Sequence, residues 1–175
     1  MQVLLERDAG RKLEGAVQVD DACVGGEVTG GRRERGAENE TPFLAAVQVT
    51  ADGKPVVMKL TPVQAFRKDE VEEWAGENVE RGTTVHSDGP GCFRGFAAAG
   101  CEHVPQVTGG GPGSCEAPGP GRVGTALGNV KRALDGTCHR LAPRYAARYL
   151  GEFQYRFNRR YDLAALPRQV LELHP

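Results

Sequence analysis

Two short runs of alternating apolar and polar residues each arrive at an aspartate. In 15–20, Gly-Ala-Val-Gln-Val-Asp, Val17 and Val19 alternate with Gln18 and Asp20; 68 positions later Thr-Thr-Val-His-Ser-Asp in 83–88 arrives at Asp88. Period-two alternation is the pattern of a half-buried strand. Carboxylates delivered by two strands to one place could hold hard divalent cations, which prefer oxygen ligands. Such ions suit phosphodiester chemistry, because displacement at phosphorus adds negative charge to a group that is already anionic. The same residues have a plainer reading: an Asp that closes a strand commonly serves the next turn, and Gly89-Pro90 demand one after Asp88. Taken singly, the two aspartates leave both readings open.

The elements that must position them follow from the pattern around them. Residues 42–49 and 55–60 predict two further strands, and Asp52-Gly53 between them predicts a hairpin. In 68–79, Val71, Trp74 and Ala75 share one helical face while Asp69, Glu72, Glu73 and Glu77 lie elsewhere, which is an amphipathic helix with a solvated acidic face. A short helix is expected over 93–99, and His103-Val104 opens a last strand. Gly25-Gly26 and Gly30-Gly31, with Arg32, Arg33 and Arg35, read as a basic loop. The glycine- and proline-rich 109–124 builds no core element and predicts a flexible loop. Beyond it, 127–134 and 143–160 predict helices, the second with Tyr149, Leu150, Phe153 and Phe157 facing inward. Strands come first and helices last, so the expected class is α/β, a mixed sheet flanked by helices.

With 175 residues the chain fits one domain with a real core. Its 24 glycines and 11 prolines against 39% hydrophobic residues point to a folded body with long loops. Cysteines 23, 92, 101, 115 and 138 form no C-x-x-C pair and accompany no secretory signal, so neither a zinc ribbon nor a disulfide framework is indicated and reduced thiols are expected. No apolar run approaches the roughly 18 residues of a membrane span, so a cytoplasmic protein is expected. The net charge of −1 conceals a division: from Pro120 onward ten Lys/Arg face four Asp/Glu, +6, which leaves −7 for the rest. A basic C-terminal third has the composition of a phosphate-contact surface, and equally that of a solvated helical face.

Five ordered stretches then carry a resemblance. Val-Asp-Asp-Ala-Cys-Val-Gly-Gly in 19–26, Arg-Gly-Ala-Glu-Asn in 35–39, Val-His-Ser-Asp-Gly in 85–89, Leu-Gly-Asn-Val-Lys-Arg through Gly-Thr-Cys-His in 127–139, and the run from Arg148 to Arg160 resemble landmarks of bacterial ISXO-type insertion-sequence transposases. These belong to the DDE superfamily, in the branch whose third metal-site residue is often Asn. Extending over about 15–166, the resemblance implies a ribonuclease-H-like fold. It makes Asp20, Asp88 and Asn129 the catalytic residues and the ligands of two Mg²⁺ or Mn²⁺ ions. Asp21 is the alternative to Asp20, but alternation sends it to the face of Val17 and Val19, whereas Asp20 shares that of Gln18. An Asn carbonyl is a legitimate hard ligand that lowers the site's charge, although on a helix it is ordinarily a surface residue.

Lys131, Arg132, His139, Arg156, Arg159 and Arg160 are the implied DNA contacts, with His139 equally readable as a capping or core residue. The implied reaction hydrolyses element ends and then uses the freed 3′-hydroxyl on target DNA, with double-stranded DNA as partner and a homo-oligomer as the working form. Departures from the family's pattern predict a shortened, partly degenerate copy. Only 1–14, a remnant or linker, precedes the first strand where relatives carry a recognition region; 109–124 is glycine-proline-rich; Cys23 and Cys138 occupy usually aromatic positions; and 167–175 is a tail. Two rival readings use the same residues: a ribonuclease-H-like nuclease that only hydrolyses, and a non-catalytic DNA-binding relic.

Overall fold

The computed structural model describes residues 10–25, 41–88, 91–105, 121–137 and 143–161. Five strands, β1 (Ala16–Val24), β2 (Thr41–Val49), β3 (Pro55–Pro62), β4 (Thr84–Ser87) and β5 (Glu102–Pro105), form one sheet in the order β3-β2-β1-β4-β5. β1, β2 and β3 pair antiparallel, while β4 joins β1 and β5 joins β4 in parallel. Four α-helices accompany them among the described residues: α1 (Lys68–Asn78), α2 (Arg94–Ala98), α3 (Gly121–Thr137) and α4 (Ala146–Asn158). The class is the expected mixed α/β.

The β2–β3 hairpin forms where Asp52-Gly53 predicts it. Gly53 takes φ 74°, the left-handed region open to glycine, and the Gly53 N–H donates to the Thr50 carbonyl at 2.8 Å. Lys54 sits 2.7 Å from the Asp52 carboxylate, and its hydrogen bond, followed by that of Thr50, holds the carboxyl below its ordinary range.

Both faces of the sheet are covered, which is why the central strands are so apolar. On one face Val17, Val19, Leu44 and Val85 pack against Val71, Trp74 and Ala75 of α1 and against Phe93 and Phe96. Trp74 meets Phe96 edge-on, with ring centroids 6.1 Å apart at 84°. On the other, Ala22, Val24, Ala45, Met58 and Leu60 pack against Val123, Ala126, Leu127 and Val130 of α3 and Ala146 and Leu150 of α4. Each such burial of a Val, Leu or Phe contributes about 1.5–3 kcal/mol relative to exposure.

α4 lies along the outer edge of β3 and runs antiparallel to it. Its Gln154 Oε1 accepts the Leu60 N–H at 2.8 Å, and its Asn158 Oδ1 accepts the Met58 N–H at 2.7 Å. The Asn158 amide donates in return to the Met58 carbonyl at 3.0 Å. Just past the helix, the Arg160 guanidinium donates to the carbonyls of Phe157, Val56 and Pro55.

Three expectations are corrected. β1 does not end at Asp20 but continues to Val24, because its ladder with β2 runs unbroken to Val24↔Thr41. Residues 121–124, expected in the loop, open α3, whose Val123 N–H is received by Gln18 Oε1 at 3.2 Å; the rest of the expected loop lies outside the described residues. The second C-terminal helix splits into a 3₁₀ turn (Pro143–Tyr145) and α4. Of its four expected inward residues Leu150 is fully buried, while Tyr149, Phe153 and Phe157 pack partly buried beside it.

Candidate metal centre

Register decides where the acids stand. β1 and β4 pair from Ala16↔Thr84 to Val19↔Ser87, so Asp88 follows the last paired residue and comes level with Asp20. β4 stops there while β1 continues to Val24. Beyond Val19, then, the β4-side margin of β1 has no strand neighbour among the described residues, and side chains from either face can turn into the gap.

Into that gap converge Asp20, Asp21 and Asp88, with one carboxylate oxygen of each within 4.8 Å of the others. Asp20 and Asp21 are half-buried and Asp88 is exposed. Alternation does place Asp20 on the side of Gln18 and Asp21 on the side of Val19, yet it does not separate their carboxylates. The Asp20 Oδ1 accepts the Asp21 N–H at 2.9 Å, which holds that carboxylate against its own strand beside Asp21.

The group fits a hard cation by two criteria. All three donors are carboxylate oxygens, the class that Mg²⁺ and Ca²⁺ take. Their 4.8 Å span compares with about 4.2 Å between opposite oxygens of one octahedral Mg²⁺, so a small side-chain rotation suffices.

The surroundings are partly apolar. Cys92, buried just after the Asp88 turn, has its thiol pushed up by burial first, with the charges of Asp21 and Asp88 adding to it. It is a resting thiol. Cys92 and Cys101 are free thiols; Cys115 and Cys138 lie outside the described residues. Ser87, fully buried beside Asp88, holds its Oγ 2.9 Å from His103 Nε2.

The remaining expected residues are spread more widely. Asn129 lies on α3, exposed, one position before buried Val130. Lys131 and Arg132 follow on the same helix, with Arg132 Nε donating to the Gly128 carbonyl at 3.3 Å. His139 lies outside the described residues. Arg156 pairs loosely with Glu152 at 3.8 Å, and Arg159 stacks over Tyr155 at 3.7 Å. Arg160 is committed to backbone carbonyls of β3, a structural role that its sequence position does not announce.

Two residues near the acids were not singled out by sequence reasoning. Gln18, 7% exposed, ties β1 to the first turn of α3 and so fixes the helix that carries Asn129. His86, paired across from Gln18, keeps a buried Nδ1 without a hydrogen bond among the described residues. Gln18 had a signal: a polar residue between two valines in a strand covered on both faces needs a partner.

A family model for the ISXO2-like transposase domain matches residues 12–158. Among the described residues, the five strands and four α-helices lie within that stretch. The chain belongs to the ISXO2-like transposase family. A search of curated proteins gives no significant match. For an ISXO2-like transposase the sheet has the expected form, three antiparallel strands followed by two parallel ones as in a ribonuclease-H-like domain. The family implies DNA as the partner class. Among the described residues no helix is long and apolar enough to cross a membrane.

Proposed function

We propose that the chain is the catalytic domain of a metal-dependent DNA transposase, which cuts the ends of an insertion sequence and joins them to a target. The observation that carries the reading is the convergence of Asp20 and Asp88, from adjacent parallel strands, to within ligand-sharing distance. A pair of Mg²⁺ or Mn²⁺ ions, when bound, would stabilise the attacking and leaving oxygens of an in-line displacement.

Within this reading Asp20 and Asp88 hold the cations from the sheet and Asn129 completes the set from α3. Asp21 adds a third negative group that offsets the neutral Asn side chain. Lys131, Arg132 and His139 are assigned to phosphates near the cut, whereas Arg156, turned to Glu152, and Arg159, lying over Tyr155, are not assigned a phosphate. Arg160 is assigned to holding α4 on β3, given its bonds there. No covalent enzyme intermediate is required, and Cys92, with its thiol pushed up, suits that assignment. The working form is a homo-oligomer on paired ends, in the cytoplasm.

Mn²⁺ titration and strand transfer on end-containing duplexes test the proposal together. Wild type should bind Mn²⁺ and yield joined products, and Asp20→Asn or Asp88→Asn should lose both. Nicked but unjoined products would favour hydrolysis alone. Equal metal binding by wild type and both variants would reduce the chain to a DNA-binding relic.

A further inference from the structure

We propose that DNA held beside the acids is gripped by Arg144, Tyr145 and Arg148 at the start of α4, and not by the arginines at its far end. The inference rests on the transposase reading and specifies the surface that reading uses.

Sheet register supplies the geometry. Asp20 pairs with Ala45 and Ala45 with Leu60, so these three form one row across β1, β2 and β3. Two strand spacings put Leu60 about 10 Å from Asp20. Gln154 of α4 is bonded to Leu60, and Asn158 and Arg160 reach Met58 and Val56, progressively further from the acid end. Going the other way, Arg148 precedes Gln154 by six residues, about 9 Å of helix. Ala146 and Leu150 accordingly share a core cluster with Ala22 and Val24, the part of β1 just past the acids. The opening turn of α4 therefore stands at the acid end of the sheet, roughly 15 Å from Asp20, a few nucleotides along one strand at about 3.4 Å each. Arg160 reaches the row of Val56, four residues of β3 and about 13 Å away in the opposite direction.

Chemistry distinguishes the two ends equally. Tyr145 is 40% exposed, with Arg144 at 4.8 Å and Arg148 at 5.9 Å from its ring, so one aromatic orients two cations. Arg144 and Arg148 are exposed and form no ion pair among the described residues. At the far end Arg156 faces Glu152 and Arg160 is bound to carbonyls, while Arg159, likewise over an aromatic ring, follows Asn158 on the side of Met58, away from the acid end. Two oriented, unneutralised guanidinium groups beside a phosphodiester site match a DNA backbone.

The experiment measures binding of a labelled duplex of arbitrary sequence to the full chain across a salt series, without divalent cation. Each phosphate contact adds about 0.9 to the slope of log K against log salt. Arg144→Ala with Arg148→Ala should weaken binding and shallow the slope by about 1.8, whereas both residues changed to Lys should keep the slope. Arg159→Ala should leave it within error, and circular dichroism checks each fold. An unchanged slope in the Arg144/Arg148 alanine variant, or a comparable loss in Arg159→Ala, overturns the assignment. Mn²⁺ binding at the acids, measured on the same variants, separates the outcomes: if it persists, only this surface falls, and if wild type lacks it, the transposase reading falls instead.

Discussion

Ser87 and His103 show how little room a residue beside the acids has. The His103 ring lies 6.3 Å from Phe96 with Nε2 on the Ser87 hydroxyl, and burial lowers its pKa from the ordinary 6.5. A histidine held neutral in the fold but free to protonate once unfolded gives stability that is complete above the unfolded pKa. That stability drains away as pH falls toward the folded value. The thermal midpoint should therefore fall between about pH 7 and pH 5, and His103→Gln should flatten that slope; an identical slope in the variant would remove His103 as its source. At this scale Asp20 and Asp88 were legible, because strand alternation and the turn after Asp88 mark their places. The approach of Asp21 was not, since it depends on β4 stopping at Ser87 while β1 continues, a difference in strand length that neither segment reveals alone.

Between elements the tightest contact is backbone on backbone. A Cβ placed on Gly95 of α2 would come 2.5 Å from the Lys68 carbonyl oxygen and 2.8 Å from the Glu72 nitrogen of α1, neither of which can swing aside. Gly95→Ala should cost about 1–3 kcal/mol, read as a lower denaturant midpoint. An unchanged midpoint would mean that α2 shifts freely. By contrast Gly76→Ala, where nothing stands within 4 Å and the backbone is helical, should be neutral or stabilising, by up to about 1 kcal/mol. The strands and α1 were legible from period and turn chemistry. The start of α3 was hidden because glycine at 121 and 124 argues against helix, and the Gln18 tie and the apolar stripe from Val123 to Val130 overrule that weak preference.

For the molecule as a whole, the acids are a repulsive cluster that a bound cation would relieve, so metal binding and folding should be linked. At 100 times its dissociation constant, Mn²⁺ would add about 2.7 kcal/mol of stability, seen as a raised thermal midpoint. Asp88→Asn should abolish most of that rise, and a rise of equal size in this variant would place the ion elsewhere. The divided charge, acidic through the sheet and basic after Pro120, was plain in the sequence. Which basic residues face the acid end was not, because that depends on α4 running antiparallel to β3.

The amides of Gln154 and Asn158 do more than fasten a helix. The Leu60 N–H and both backbone groups of Met58 point outward from the last strand of the sheet, where a neighbouring molecule could otherwise add its own. Occupied by side chains, they offer no template for intermolecular cross-β growth. A chain cut short before Gln154 would lose that guard and should polymerise from the exposed strand, even with every acidic residue in place.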